Sequence, residues 1–186
     1  MHVRILRYAI ASALLLITTL AGAEPTSIRT FPVPDHGSLQ LSAPESWPME
    51  MRTGPNRTLP IIAFGPSQGA TYQVLITPLS PSRGNQAPLA AGSLKQMVEH
   101  AAQDAKAQSV EKTLAVKELR SGAHVGYYFS ATDRAPKPDE YKYLTQGMFG
   151  IGEVLITFTI LTNDGYDAVV PAALTMIKNA VQLKDL

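Results

Sequence analysis

Residues 141–181 constrain the fold more than any other stretch. YKYLTQGMFGIGEVLITFTILT reads as two long strands joined at the glycines Gly150 and Gly152, and NDGYDAVVPAALTMIKNAV reads as a helix. In the second strand Val154, Ile156, Phe158 and Ile160 point one way and Leu155, Thr157, Thr159 and Leu161 the other. Both sets are fit for burial, so this strand is expected at the centre of a sheet. In the helix Asp167 is the expected N-cap, since it leaves Pro171 in the first turn, where a missing N–H is tolerated. Val170, Leu174, Ile177 and Val181 are its expected buried stripe.

The N-terminus belongs to no fold. MHVRILRYAIASALLLITTLAGAEP has a basic start at Arg4 and Arg7, an apolar run from Ala9 to Leu20, and the small-x-small triplet Ala21-Gly22-Ala23. That is the pattern of a signal peptide, residues 1–23, with cleavage expected after Ala23. The apolar run is shorter than the ~20 residues a spanning helix needs, so no stable membrane insertion is expected after cleavage. The expected location is periplasmic or secreted.

Loss of Arg4 and Arg7 takes the 16 basic residues to 14 against 15 acidic, a net charge of −1. A near-neutral chain without a basic stripe argues against nucleic acid and anionic membrane surfaces as partners. The chain has no cysteine, which excludes disulfides, thiolate metal sites, cysteine nucleophiles and a cysteine-linked lipid anchor. The sequon Asn56-Arg57-Thr58 reads as part of a turn.

Residues 24–37, with three prolines and little periodicity, are expected as an extended N-terminal arm, and residues 38–186 as a single domain. A strand from Ser38 ends at Pro44, before Trp47, the lone tryptophan, expected to close one end of the core. Met49 to Arg52, Pro60 to Phe64 and Thr71 to Thr77 follow as an antiparallel meander, the last with Tyr72, Val74 and Ile76 on one face. Pro78 to Pro88 reads as a loop with Arg83 near its tip. Ser93 and Gln96 form a capping-box pattern, and Leu94, Met97, Val98, Ala101 and Ala105 a stripe facing the sheet. Thr113 to Leu119 is a modest strand, turned by Ser121-Gly122-Ala123 into HVGYYFSAT. There Val125, Tyr127, Phe129 and Ala131 share one face. Asp133 to Glu140 is a charged, proline-rich loop.

In order, LQLSAPESW at Leu39–Trp47, SGAHVGYYFSATD at Ser121–Asp133 and the hairpin plus helix at Tyr141–Val181 resemble the PsbP-like fold. That fold is shared by the photosystem II extrinsic subunit PsbP, the bacterial envelope protein DcrB and a Ran-binding nuclear import factor. The resemblance implies an α+β class, an antiparallel β-sheet flanked by α-helices in an α/β/α sandwich. It also implies a non-enzymatic role in binding or assembly, and it supplies no site residues.

No residue pattern specifies a chemistry. There is no metal-spaced histidine cluster, no GxSxG and no phosphate loop, so no catalytic residue, metal ligand or cofactor is assigned. His100 and Asp104, four apart on a helix, have the spacing of two metal ligands but also of a solvated pair. His124 and Ser130 are separated by roughly 20 Å of strand, too far for a nucleophile and its base. The expected function is an envelope protein that binds an envelope protein or small-molecule ligand, with Arg83, Arg134, Lys137 and Asp139 as exposed contact candidates. The alternative is a periplasmic hydrolase or metal-dependent enzyme whose site assembles in space from His36, His100, His124, Glu99, Asp104 and Asp133.

Overall fold

The computed structural model describes residues 24–53, 60–69, 71–80 and 90–184. The expected signal peptide, the sequon and Arg83 lie outside the described residues. The strands are β1 (Thr26–Pro32), β2 (Ser38–Pro44), β3 (Met49–Thr53), β4 (Pro60–Phe64), β5 (Tyr72–Leu79), β6 (Lys117–Ser121), β7 (His124–Thr132), β8 (Tyr143–Ile151), β9 (Val154–Thr162) and β10 (Val181–Leu183). The helices are α1 (Ala91–Lys106), between β5 and β6, and α2 (Val169–Lys178), between β9 and β10.

Seven strands form one antiparallel sheet in the order β3-β4-β5-β9-β8-β7-β6, and β1-β2-β10 form a smaller one. β9 occupies the middle of the larger sheet, as its two-sided apolar pattern requires. Its two faces differ, however. Val154, Ile156, Phe158 and Ile160 are fully buried, whereas Leu155, Thr157, Thr159 and Leu161 are only half-buried.

The buried face carries the larger core, built from Phe64, Val74, Ile76, Phe149, Ile156, Phe158 and Ile160 against Leu39 and Leu41 of β2 and Ala173, Met176 and Ile177 of α2. On the opposite face α1 covers β7 and β8, where Val98 and Ala102 pack on Phe129 and Ala131. The result is a sheet with a helix on each side. Trp47 closes one end of the larger core, packed against Phe64 and Tyr72 at centroid distances of 6.2 and 5.6 Å.

Two glycines inside strands explain how the phenylalanines fit. Gly126 sits directly across from Phe149, and Gly147 across from Phe158. A Cβ on Gly147 would lie 2.3 Å from the Tyr127 carbonyl oxygen and 2.6 Å from the tip of the Phe158 ring. The rings therefore occupy space that any other residue would fill.

Several local expectations shift. Residues 24–37 contain β1, hydrogen-bonded along its length to β2 with Phe31 buried, so the arm is a sheet strand. β5 runs through Pro78 to Leu79, because Pro78 lies opposite Ile156 and continues the ladder that a loop was expected to end. The β8–β9 turn is Gly152-Glu153, where Gly152 takes φ 56°; Gly150 stays in the strand. β6 begins at Lys117, four residues later than the modest apolar pattern suggested.

Neither helix starts where its polar residues suggested. α1 is capped by Ala90, whose carbonyl accepts from the Ser93 and Leu94 N–H groups, so Ser93 falls inside the first turn and makes no side-chain cap. Its buried line is Leu94, Val98 and Ala102, with Ala101 and Ala105 partly covered and Met97 turned 42% exposed. α2 follows Ala168 rather than Asp167, and buries Val169, Ala173, Met176 and Ile177 instead of Val170 and Leu174, which stay half-buried. It ends at Asn179, and Val181, expected in its stripe, pairs with Gln40 as the start of β10. Strand pairing to β2 won over helix continuation there.

Candidate interaction surface

The strand ends at Thr132, Tyr143 and Thr162 gather three connections: the link from α1 to β6, the β7–β8 loop and the turn from β9 to α2. The β7–β8 loop holds three of the four contact candidates, and it is exposed from Arg134 to Glu140. It is also firmly braced.

At its first end, Glu111 acts as a staple. Its carboxylate accepts the Thr132 N–H at 3.0 Å and the Thr132 hydroxyl at 2.7 Å, as well as the Ser109 hydroxyl. Ser109 also bridges to Asp133, and the Val110 N–H donates to the Thr132 carbonyl at 2.9 Å. Partial burial would raise the Glu111 pKa, but these donors outweigh it and hold the carboxyl at about 2. Arg134 belongs to the same staple: its guanidinium donates to the Ser109 carbonyl at 2.8 Å and its N–H to the Gln108 carbonyl at 2.9 Å. Arg134 therefore ties the loop to the residues that follow α1 and stays exposed.

At the second end Asn163 is the hub. Its side-chain oxygen accepts the Lys142 N–H at 2.7 Å, its amide nitrogen donates to the Glu140 carbonyl at 3.2 Å, and its backbone N–H donates to the Thr71 carbonyl at 3.1 Å. Beside it Asp164 accepts from the Lys142 ammonium at 3.0 Å and the Tyr143 hydroxyl at 2.7 Å. The Tyr143 hydroxyl, then the Lys142 ammonium, hold the Asp164 carboxyl below its ordinary range. Between these anchors the Glu140 side chain accepts the Lys137 N–H at 3.0 Å and pairs with its ammonium at 3.5 Å. Asp139, at φ 68°, turns the tip. The loop thus presents Lys137, 79% exposed, and Asp139 on a fixed backbone.

Glu111, Asn163 and Asp164 are not among the contact candidates that the sequence offers. The Asn-Asp-Gly run at 163–165 signals a turn, but nothing local shows that Asn163 reaches back to residues 140–142.

The three described histidines have separate surroundings. His36, in the β1–β2 turn, lies 3.5 Å from Glu153; His100 pairs with Asp104 at 3.7 Å, both strongly exposed; and His124 meets the Phe149 ring edge-on at 6.5 Å. Among the described residues no three His, Asp or Glu side chains converge as a cation site. No helix among them is long and apolar enough to cross a membrane.

The solution structure of cyanobacterial PsbP (CyanoP) from Synechocystis sp. PCC 6803 matches with a TM-score of 0.53, covering 90% of this chain and 99% of that one. The fold is PsbP-like. Sequence identity is 13%, so the likeness speaks for the fold alone. No known family model matches the chain, and no curated protein does. In this PsbP-like frame the braced loop lies at one end of the sheet, away from the β8–β9 turn at the other.

Proposed function

We propose that this chain is an exported bacterial envelope protein, one domain that takes in the β1 arm and follows a signal peptide cleaved after Ala23, that binds a partner protein or small ligand without catalysing a reaction. The observation that carries the reading is the β7–β8 loop, exposed along its length yet anchored by Glu111 at one end and Asn163 at the other. Such bracing stabilises the fold, and the preorganisation it gives an exposed loop also lowers the ordering cost of association. The PsbP-like fold and the basic-apolar-small N-terminus support the same reading.

Two measurements test it. N-terminal sequencing of the protein from the periplasm or culture medium should begin at Glu24; retention of the full chain in the cytoplasm contradicts export. Affinity capture from envelope extract should retain a component that the charge-reversed Lys137→Glu/Asp139→Lys variant loses. Equal capture by both contradicts the loop's role.

A further inference from the structure

The two edges of the large sheet are finished differently. Among the described residues β3 pairs with β4 alone, so the outward backbone N–H and C=O groups of β3 have no strand partner. Its sequence, Met49-Glu50-Met51-Arg52-Thr53, is exposed throughout. Met49 and Met51 lie on the face of Phe64 and Ile62 and are 38% and 48% exposed, beside an open cleft of about 360 Å³ lined by Pro48, Met49, Gly65 and Pro66. β6, at the other edge, has a similar alternation in Lys117-Glu118-Leu119-Arg120-Ser121, but its central Leu119 is already buried in the core that α2 completes. Of these two edges, β3 alone among the described residues keeps apolar side chains that a further strand would cover; in the small sheet the edge strands β1 and β10 leave Ile28, Val181 and Leu183 exposed.

We propose that β3 pairs with β3 of a second copy of this chain, antiparallel and centred on Met51, joining two large sheets across a two-fold axis. In that register Met51 meets its own mate, Met49 meets Thr53, and Glu50 meets Arg52 of the other copy. One face then carries two opposite-charge cross-strand pairs and the other a methionine contact. The register is specific, because the pattern is. A slide that sets Glu50 opposite Glu50, or Arg52 opposite Arg52, keeps the faces aligned but opposes like charges. Glu50 and Arg52 already pair within the strand, and the other N–H edge of the guanidinium faces the Gln73 side-chain oxygen at 2.8 and 3.0 Å, so in the dimer Arg52 exchanges Gln73 for the second copy's carboxylate. The contact is isologous, so it closes at a dimer.

Sedimentation equilibrium of the purified protein tests this. A monomer–dimer equilibrium is expected, weakened about tenfold by Arg52→Glu and restored by Glu50→Arg/Arg52→Glu, which exchanges the charges and keeps their complementarity. Arg120→Glu, at the β6 edge, should leave it unchanged. These side chains are exposed, so each variant should keep the parent's circular dichroism spectrum. A monomer up to about 1 mM overturns the proposal and leaves the edge to an extended segment of another protein. Failure of the double exchange to restore the dimer, or equal weakening by Arg120→Glu, overturns it as well.

Discussion

Glu111 and Thr132, distant in sequence, are joined twice: the Thr132 N–H and hydroxyl both donate to the Glu111 carboxylate, at 3.0 and 2.7 Å. This contact fixes where β7 ends and the exposed loop begins.

Glu111 makes stability depend on pH in a defined window. Its folded pKa of about 2 lies below the ordinary 4.5, so the unfolded chain binds the proton first as pH falls. The contribution is fully present above about pH 4.5 and is lost as pH falls toward 2. After allowance for solvent screening it is about 1 kcal/mol. Thermal unfolding of the parent and Glu111→Gln should show a gap in Tm at pH 7 that closes near pH 2. A gap independent of pH contradicts the assignment.

Asn163 anchors the other end of the loop through both side-chain atoms. Asn163→Ala leaves the Lys142 N–H and Glu140 carbonyl without these partners and should cost about 1–3 kcal/mol. Amide hydrogen exchange at Lys142 should quicken in the variant, with β9 unchanged. Unaltered exchange at Lys142 would show that the anchor is not used.

Gly147, like Gly126, is a strand glycine that makes room for a ring. Gly147→Ala forces a methyl group to 2.3 Å from the Tyr127 carbonyl oxygen and 2.6 Å from both the Phe158 ring and the Tyr128 Cβ. Overpacking of this kind costs about 1–3 kcal/mol. Urea unfolding measures it, and a neutral result would contradict the close approach of Gly147 and Phe158.

The two faces of β9 should respond unequally. Phe158→Ala, in the dry core, should lose about 3–5 kcal/mol, whereas Thr159→Ala, on the half-covered face, should lose less than about 1. Equal losses would mean that both faces are equally packed.

Much of this architecture was legible where the signal was periodic. The alternation from Val154 to Leu161 placed β9 at the centre, and Val125, Tyr127, Phe129 and Ala131 were legible as one face of β7; that Tyr127, Phe129 and Ala131 meet α1 is what the structure adds. Pairing partners were not legible, because they depend on residues far along the chain. Residues 26–32 form a strand only since β2 supplies the ladder, and Val181 leaves the helix for the same reason. Helix starts were misread because Ser93 and Asp167 suggest caps that the chain does not use. The loop's exposure was readable from its charges and prolines, but its bracing was not, because the tether from Arg134 to Ser109 joins residues 25 apart in the chain.

The most direct test of the binding surface places a photo-crosslinking residue at Lys137 and, separately, at Lys95, an exposed position on α1. In envelope extract the position-137 probe should give a discrete adduct that weakens when Glu111→Ala frees the base of the loop, and the position-95 probe should give none. The same adducts at both positions, or none at 137, would contradict the account.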